Sequence, residues 1–419
     1  MSKRKREQQA AEKRLKISSR RLWSIVLATG AVLAIAPILL LSGRKFRAMH
    51  ETFSAPVVQP ESFRRPASYA ELCAVPANGL GNCDIALMNL LCAEGLPGAE
   101  NLDVTNSLAT LDGFAKYVKS ETDRNFHLFV EKPQEFKNSE GYFEMMMMVT
   151  VLQQDLKIRY NPVLIQSPDM PLPAEDHFFD SSQDIFIHGL IRDKGMGTCS
   201  SMPVFLVAIG RRLGYPLKLV KAKAHLFARW EQGEKSFNIE GTSVGFVSHP
   251  DSEYLNWPFP FTAEEEQAEG YLKSMTPVQE LAVFLSIRGM CLRAQKNFLP
   301  ALGAFAQAFY REPQSVGYQK LFARAEREAY VAGVLPKRTA LQYAIRTLEI
   351  PPGSRQQEFS LRRAQLNSMN GSGADESEIE SELSALTAEI TSFVMRSRRR
   401  DMNDYGPESP ALQVAPEVR

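Results

Sequence analysis

The chain has 419 residues, 44% of them hydrophobic and 23% charged, with a formal net charge of +1. These are the proportions of an ordinary globular protein, long enough for one large domain and a smaller one, and they exclude a chain too polar to build a core. The near-neutral total hides an asymmetry: residues 1–47 hold 12 Lys/Arg against Glu7 and Glu12, a net +10, so the remainder carries −9.

The basic arm, residues 1–21, runs into an uncharged apolar stretch from Leu22 to Ser42. About 20 such residues span a bilayer, so residues 22–43 are predicted to form a retained transmembrane helix. A secretory signal peptide is the competing reading, since Ala34, Ala36 and Ser42 are small, but the stretch and its leader are long for one. Nine Lys/Arg precede the span and three follow closely, a bias that keeps the N-terminus in the cytoplasm. The expected location is a cell inner membrane, crossed once, with the main domain periplasmic or otherwise extracytoplasmic. Topology accounts for a charge block abutting a span, so no nucleic-acid partner is expected.

Residues 44–67 read as a linker, with Pro56, Pro60 and Pro66 and no apolar period. The main domain is expected over 68–275. Cys73 and Cys83 flank a Pro/Gly-rich loop and are open to a bridge. Helical spacing follows at Ile85, Leu87, Leu90 and Leu91, capped by Asn82 or Asp84, then at Leu108, Leu111, Phe114 and Val118. A third helix, Tyr142 to Leu156, holds Met145 to Met148, expected as adaptable core. Residues 160–182, with Pro162, Pro168, Pro171 and Pro173, read as an irregular crossing. His177 and His188 are expected at the surface or in packing. Cys92 and Cys291 lie in apolar helical contexts, as buried structural thiols do.

Lys194 to Pro203 then presents Gly195, Gly197 and Cys199 ahead of a helix predicted over Met202–Leu213. Ser200 or Ser201 serves as its cap, and Pro203 is tolerated in its first turn. A cysteine at the positive end of a helix dipole is favoured as thiolate and so as a nucleophile. Strands follow at Leu217–Lys221, Leu226–Glu231 and Lys235–Glu240, an order that suits an α+β domain. A Gln232-Gly233 turn would set His225 directly opposite Glu240 on one face, with Asn238 as diagonal neighbour; Leu226, Ala228, Phe237 and Ile239 would share the other face. The expected roles are Cys199 as nucleophile, His225 as proton shuttle and Glu240 as the group that orients the imidazole, with backbone N–H groups at the helix start for the oxyanion. No Cys-x-x-Cys or His-x-x-x-His pair occurs, so neither metal nor cofactor is expected.

Counting Ala282 as position 1, residues 282–315 fit a tetratricopeptide repeat: Gly289 falls at 8, Ala301 at 20, Phe305 at 24, Ala308 at 27 and Pro313 at 32. Position 4 is Leu285 in place of Trp, and 316–349 look helical but break the pattern. A helical region is therefore expected over 276–350, docked on the domain before it. Residues 351–419 read as a polar tail, partly disordered, with a charged helix near Ser377 to Arg396.

The stretch 194–242 resembles the transglutaminase-like branch of the papain-type cysteine enzymes. Gly197-x-Cys199, the Arg212-Leu213-Gly214-Tyr215-Pro216 helix exit, Ala224-His225 with Phe227, and Glu240-Gly241-Thr242 carry the likeness. It is specific over about 185–245 and loose over 70–275. Glu240 departs from the family's usual aspartate, and Arg229 stands where an acid often follows the histidine. The resemblance implies amide or peptide hydrolysis or acyl transfer without a metal, on a protein or peptide substrate, and the repeat fits bacterial members that carry tetratricopeptide helices. The alternative is a catalytically silent scaffold that binds a protein partner at the membrane through the same domain and repeat.

Overall fold

The computed structural model describes residues 64–161, 164, 177–191 and 195–404. The predicted membrane span, its basic arm and the linker up to residue 63 lie outside them, as do most of the Pro-rich crossing and residues 405–419. Among the described residues no helix is long and apolar enough to cross a membrane.

The chain is α+β. It begins with α1 (Tyr69–Ala74) and α2 (Ile85–Ala93), the latter capped by Asp84, whose carboxylate accepts from Ala86 N–H at 2.7 Å. Every residue of α2 is buried, so it is a core helix with no solvent face. The long α3 (Val104–Glu131) is amphipathic, burying Leu108, Leu111, Ala115 and Val118. In α4 (Glu140–Thr150) Met145, Met147 and Met148 are buried core side chains. This helix passes directly into a π-helical turn, Val151–Asp155.

Next come β1 (Arg159–Tyr160), the short α5 (Ser182–Ile185) and α6 (His188–Ile191), and β2 (Met196–Gly197), which pairs parallel with β1. Then α7 (Met202–Arg212) runs through the centre, buried from Met202 to Gly210 and packed on α2, α3 and the sheet that follows.

That sheet is a three-stranded antiparallel meander of β3 (Leu217–Ala222), β4 (His225–Gln232) and β5 (Lys235–Ile239). Leu217, Leu219, Ala228, Trp230 and Ile239 belong to the main core. On the opposite face Val220, Ala222 and Phe227 form a small core with Tyr254 of α8 (Asp251–Tyr254). The register differs from the expected one. Gln232 pairs with Lys235, so the turn is Gly233-Glu234, and Ala228 pairs with Ile239. Gly233 takes φ 59° at the first turn position, where two-residue hairpin turns need a left-handed residue. The shift is two residues, so every side chain keeps its predicted face.

After α9 (Ala263–Glu269), α10 (Pro277–Ala294) and α11 (Phe298–Arg311) form an antiparallel hairpin, continued by α12 (Val316–Val331). Gly289, Ala301, Phe305 and Ala308 are all buried at the α10–α11 contact. The hairpin shares the main core through α2, and Arg288 donates to the carbonyls of Cys92 and Glu94. Arg211 of α7 also grips the buried Glu280 of α10 with two bonds, at 2.6 and 3.2 Å.

The stretch read as a polar tail is instead largely folded. With α13 (Lys337–Thr347), the helices α14 (Gln356–Ser372) and α15 (Glu376–Asp404) enclose a separate core of Leu341, Ile345, Phe359, Leu366, Ile379, Leu386 and Ile390. Gly371-Ser372-Gly373 ends α14, with Gly373 as its left-handed cap at φ 81°.

Candidate active site

Cys199 sits in a turn that leads into α7, three residues ahead of its first residue, not within the helix itself. Thr198 O accepts from both Ser201 N–H (3.2 Å) and Met202 N–H (2.9 Å), which closes the turn. Ser201 holds the cap position without a capping bond. Its hydroxyl turns back to accept from Thr198 N–H at 3.0 Å and donates to Asp184 O at 3.2 Å. Space here is tight: a Cβ on Gly197 would stand 2.6 Å from Ser201 Oγ, so glycine is required. Of the amides from 198 to 202, only the Cys199 N–H makes no bond to the described residues. The sulfur is half-buried and faces a cleft.

His225 is the first residue of β4, where the chain leaves the β3–β4 turn through Ala224 at φ 57°. Glu240 is the first residue past β5, and Glu240 N–H donates to Val247 O at 3.0 Å. Both side chains are buried, and His225 Nε2 lies 2.9 Å from Glu240 Oε2. With Nε2 engaged, Nδ1 is the ring nitrogen left for Cys199, which lines the same cleft and interacts with this imidazole. The three predicted residues therefore converge.

Glu240 is fully engaged. Oε2 also accepts from Tyr254 OH at 3.1 Å, while Oε1 accepts from Thr242 N–H at 2.9 Å and Thr242 Oγ1 at 2.6 Å. Burial alone would raise its pKa, but the bonds from His225 and Thr242 bring it below the ordinary value, so the carboxylate stays ionised. Burial likewise opposes charge on His225, yet the interactions with Cys199 and Glu240 prevail and raise its pKa to about 9. The site is built to hold an imidazolium.

Tyr254 and Trp257 complete the surroundings, and the sequence did not single them out. The Tyr254 ring stacks on Phe227 at 4.0 Å, and the Trp257 ring meets His225 edge-on at 4.7 Å. Their segment is tied down by Arg229, which donates to Asn238 Oδ1 (2.7 Å), Leu272 O (2.9 Å) and Asp251 Oδ1 (2.5 Å). Asn238, opposite Arg229 in the ladder, supports that network rather than touching His225.

No family model matches this chain, and no curated protein matches it. Cys199, His225 and Glu240 line a cleft of about 390 Å³, walled by Tyr160, Trp257 and Phe259 with His249 alongside. Its volume lies within the range of small-molecule and peptide side-chain pockets. The remaining candidates stand apart. His188 is buried against Ser182 Oγ at 3.2 Å, and His177 pairs with Asp180 at the surface. Cys73 and Cys83 are free thiols rather than a bridge, and Cys92 and Cys291 are buried, where desolvation raises their pKa values. Among the described residues no group of His, Cys, Asp and Glu is arranged to hold a metal ion.

Proposed function

We propose that this chain is a transglutaminase-like cysteine enzyme that hydrolyses or transfers amide or peptide acyl groups. The observation that carries the reading is the imidazole of His225 held between a half-buried thiol and a saturated, buried carboxylate at the wall of a cleft. The order of parts supports the papain-type arrangement: cysteine ahead of a central helix, histidine opening one strand, acid just past the next.

The chemistry follows from the groups present. Cys199 sulfur, its proton taken by the His225 imidazole, attacks the acyl carbon and forms a C–S bond. The carbonyl oxygen becomes an oxyanion within reach of the Cys199 N–H. His225 passes its proton to the departing nitrogen as the C–N bond breaks, leaving a thioester. Water or an acceptor amine then attacks the thioester and gives its proton to His225; the C–S bond breaks, releasing the acid or the new amide, and the proton returns to the Cys199 sulfur. Glu240 keeps the imidazole oriented and offsets its charge throughout.

The reading extends to the rest of the chain. The α10–α11 hairpin, with small residues at its closest contacts, supports a tetratricopeptide-like element able to engage a protein partner. The apolar run 22–43 between basic flanks supports a single-pass anchor in a cell inner membrane, N-terminus in the cytoplasm and the catalytic domain outside it. A C-terminal reporter active only outside the cytoplasm tests that orientation; activity inside overturns it.

Alkylation tests the enzyme. Cys199 should react with iodoacetamide at neutral pH faster than an ordinary exposed thiol, and His225→Ala should abolish the excess. A rate no greater than that of a free thiol rejects the enzyme and leaves the silent scaffold.

A further inference from the structure

The acid of the site stands at the head of a loop that leaves β5 at Glu240 and closes again at Val247. Within this loop Thr242 provides two of the bonds that hold Glu240, and Ser243 lines the cleft. The loop is fastened from far away in sequence. Gln153 Nε2 donates to Ser243 O at 3.0 Å, and Gln153 Oε1 accepts from Gly245 N–H at 2.7 Å. A primary amide that spends both ends on the backbone of one loop is a two-point clamp. On the other side the loop presses against α7, where a Cβ on Gly241 would come within 3.2 Å of Pro203 N.

Gln153 lies in the middle of the π-helical turn Val151–Asp155. Such a turn rotates the residues after it away from the face a continuous α-helix would give them, and π turns recur at functional sites. Gln153, Glu240 and Gly241 line one void of about 10 Å³ between this turn and α7. That is room for at most about one water, so the packing leaves the loop little space to shift.

We infer that Gln153 is a positioning residue of this site: its amide clamps the 243–245 backbone and, through Thr242, holds the Glu240 carboxylate on His225. Its effect on reactivity rests on the cysteine-enzyme reading above, whereas its effect on the imidazole does not. Among the described residues, the titratable groups facing His225 are Cys199, Glu240 and Tyr254, with Tyr160 and His249 along the same cleft.

The test uses the full chain, with the His225 imidazole followed by NMR and Cys199 alkylation followed against pH. Gln153→Met keeps the shape and loses both bonds; Gln153→Glu keeps only the acceptor for Gly245. In the wild type His225 should titrate near 9. Gln153→Met should lower that by about one pH unit, about tenfold in proton affinity, with Gln153→Glu in between. The alkaline limb of Cys199 alkylation should move with it. An imidazole that titrates identically in wild type, Gln153→Met and Gln153→Glu, while Glu240→Gln moves it, overturns the clamp. Wild-type alkylation at the rate of a free thiol rejects the enzyme alone, since the His225 titration still decides the clamp. Should Gln153→Met fail to fold, Gln153→Glu carries the same comparison.

Discussion

His225 Nε2 and Glu240 Oε2 meet at 2.9 Å although the β4–β5 ladder ends three residues short of His225, at Ala228 and Ile239. The pair therefore owes its geometry less to strand pairing than to what surrounds Glu240: Thr242, Tyr254 and the return of the loop at Val247.

The pair should give stability a pH dependence of known sign. His225 has a raised native pKa, near 9, so its contribution is complete below its unfolded value of about 6.5 and is lost as pH rises through about 9. Glu240 has a lowered pKa, so its contribution is present above the ordinary carboxylate value of 4.5 and is lost as pH falls through the native value. Melting temperature should thus be highest between these limits. Melts from pH 3 to 10 check this, and an alkaline decline undiminished in His225→Asn would assign it elsewhere.

Removing the acid separates charge from shape. Glu240→Ala leaves a buried imidazole without its partner and should cost about 3–5 kcal/mol in denaturant unfolding. Glu240→Gln keeps the size and should cost less stability, yet on the proposed cysteine-enzyme reading it should lower turnover by about 10⁴, as neutralising the acid of a Ser-His-Asp triad does. Equal losses of stability in the two variants would contradict this division.

Tyr254→Phe keeps the ring on Phe227 and deletes the bond to Glu240. The expected cost is about 1 kcal/mol, together with a lower His225 titration point as the carboxylate loosens. An unchanged imidazole titration would show that Thr242 suffices to hold Glu240.

Arg211→Met strands the buried Glu280 carboxylate between α7 and α10, at a cost of about 3–5 kcal/mol. The double variant Arg211→Met, Glu280→Met should recover most of the loss, because two well-packed apolar side chains replace a desolvated pair. Chemical denaturation of the single and double variants decides it.

Gly289→Ala tests the α10–α11 contact. A Cβ there would stand 2.6 Å from the Phe305 ring, so the helices must part, at about 1–3 kcal/mol. A neutral result would mean that Phe305 can turn aside.

Much of this was legible in the residues because the signals are local. Alternation along β4 and β5 assigns faces correctly whichever of the two turn positions Gly233 takes, which is why the register could be off by two while His225 and Glu240 still converged. Periodicity likewise places α7 to within a residue, and Asp84, one of the two expected caps, opens α2. Tyr254, Trp257 and Gln153 were not legible. Their roles depend on a non-repetitive loop and a π turn, whose contacts lie many residues away and follow no period. Of the C-terminal helices, the charged one near Ser377 to Arg396 was legible, whereas α14 and the second core were missed for another reason: their apolar positions are sparse. The seven-residue spacing of Phe359 to Leu366 and Ile379 to Leu386 was the available sign of a helical seam.

The second core has a consequence of its own. Leu341 to Ile390 cluster separately from the core that holds the site, and the two are joined by peripheral contacts such as the Arg346–Glu326 ion pair and the Tyr330–Tyr343 rings. Units joined this way open one at a time. A lesion such as Phe359→Ala would melt the C-terminal helices in a separate, earlier calorimetric transition and leave the cleft intact. To a protease, the helices from Lys337 onward would then be a detachable part, shed while Cys199 and its cleft persist.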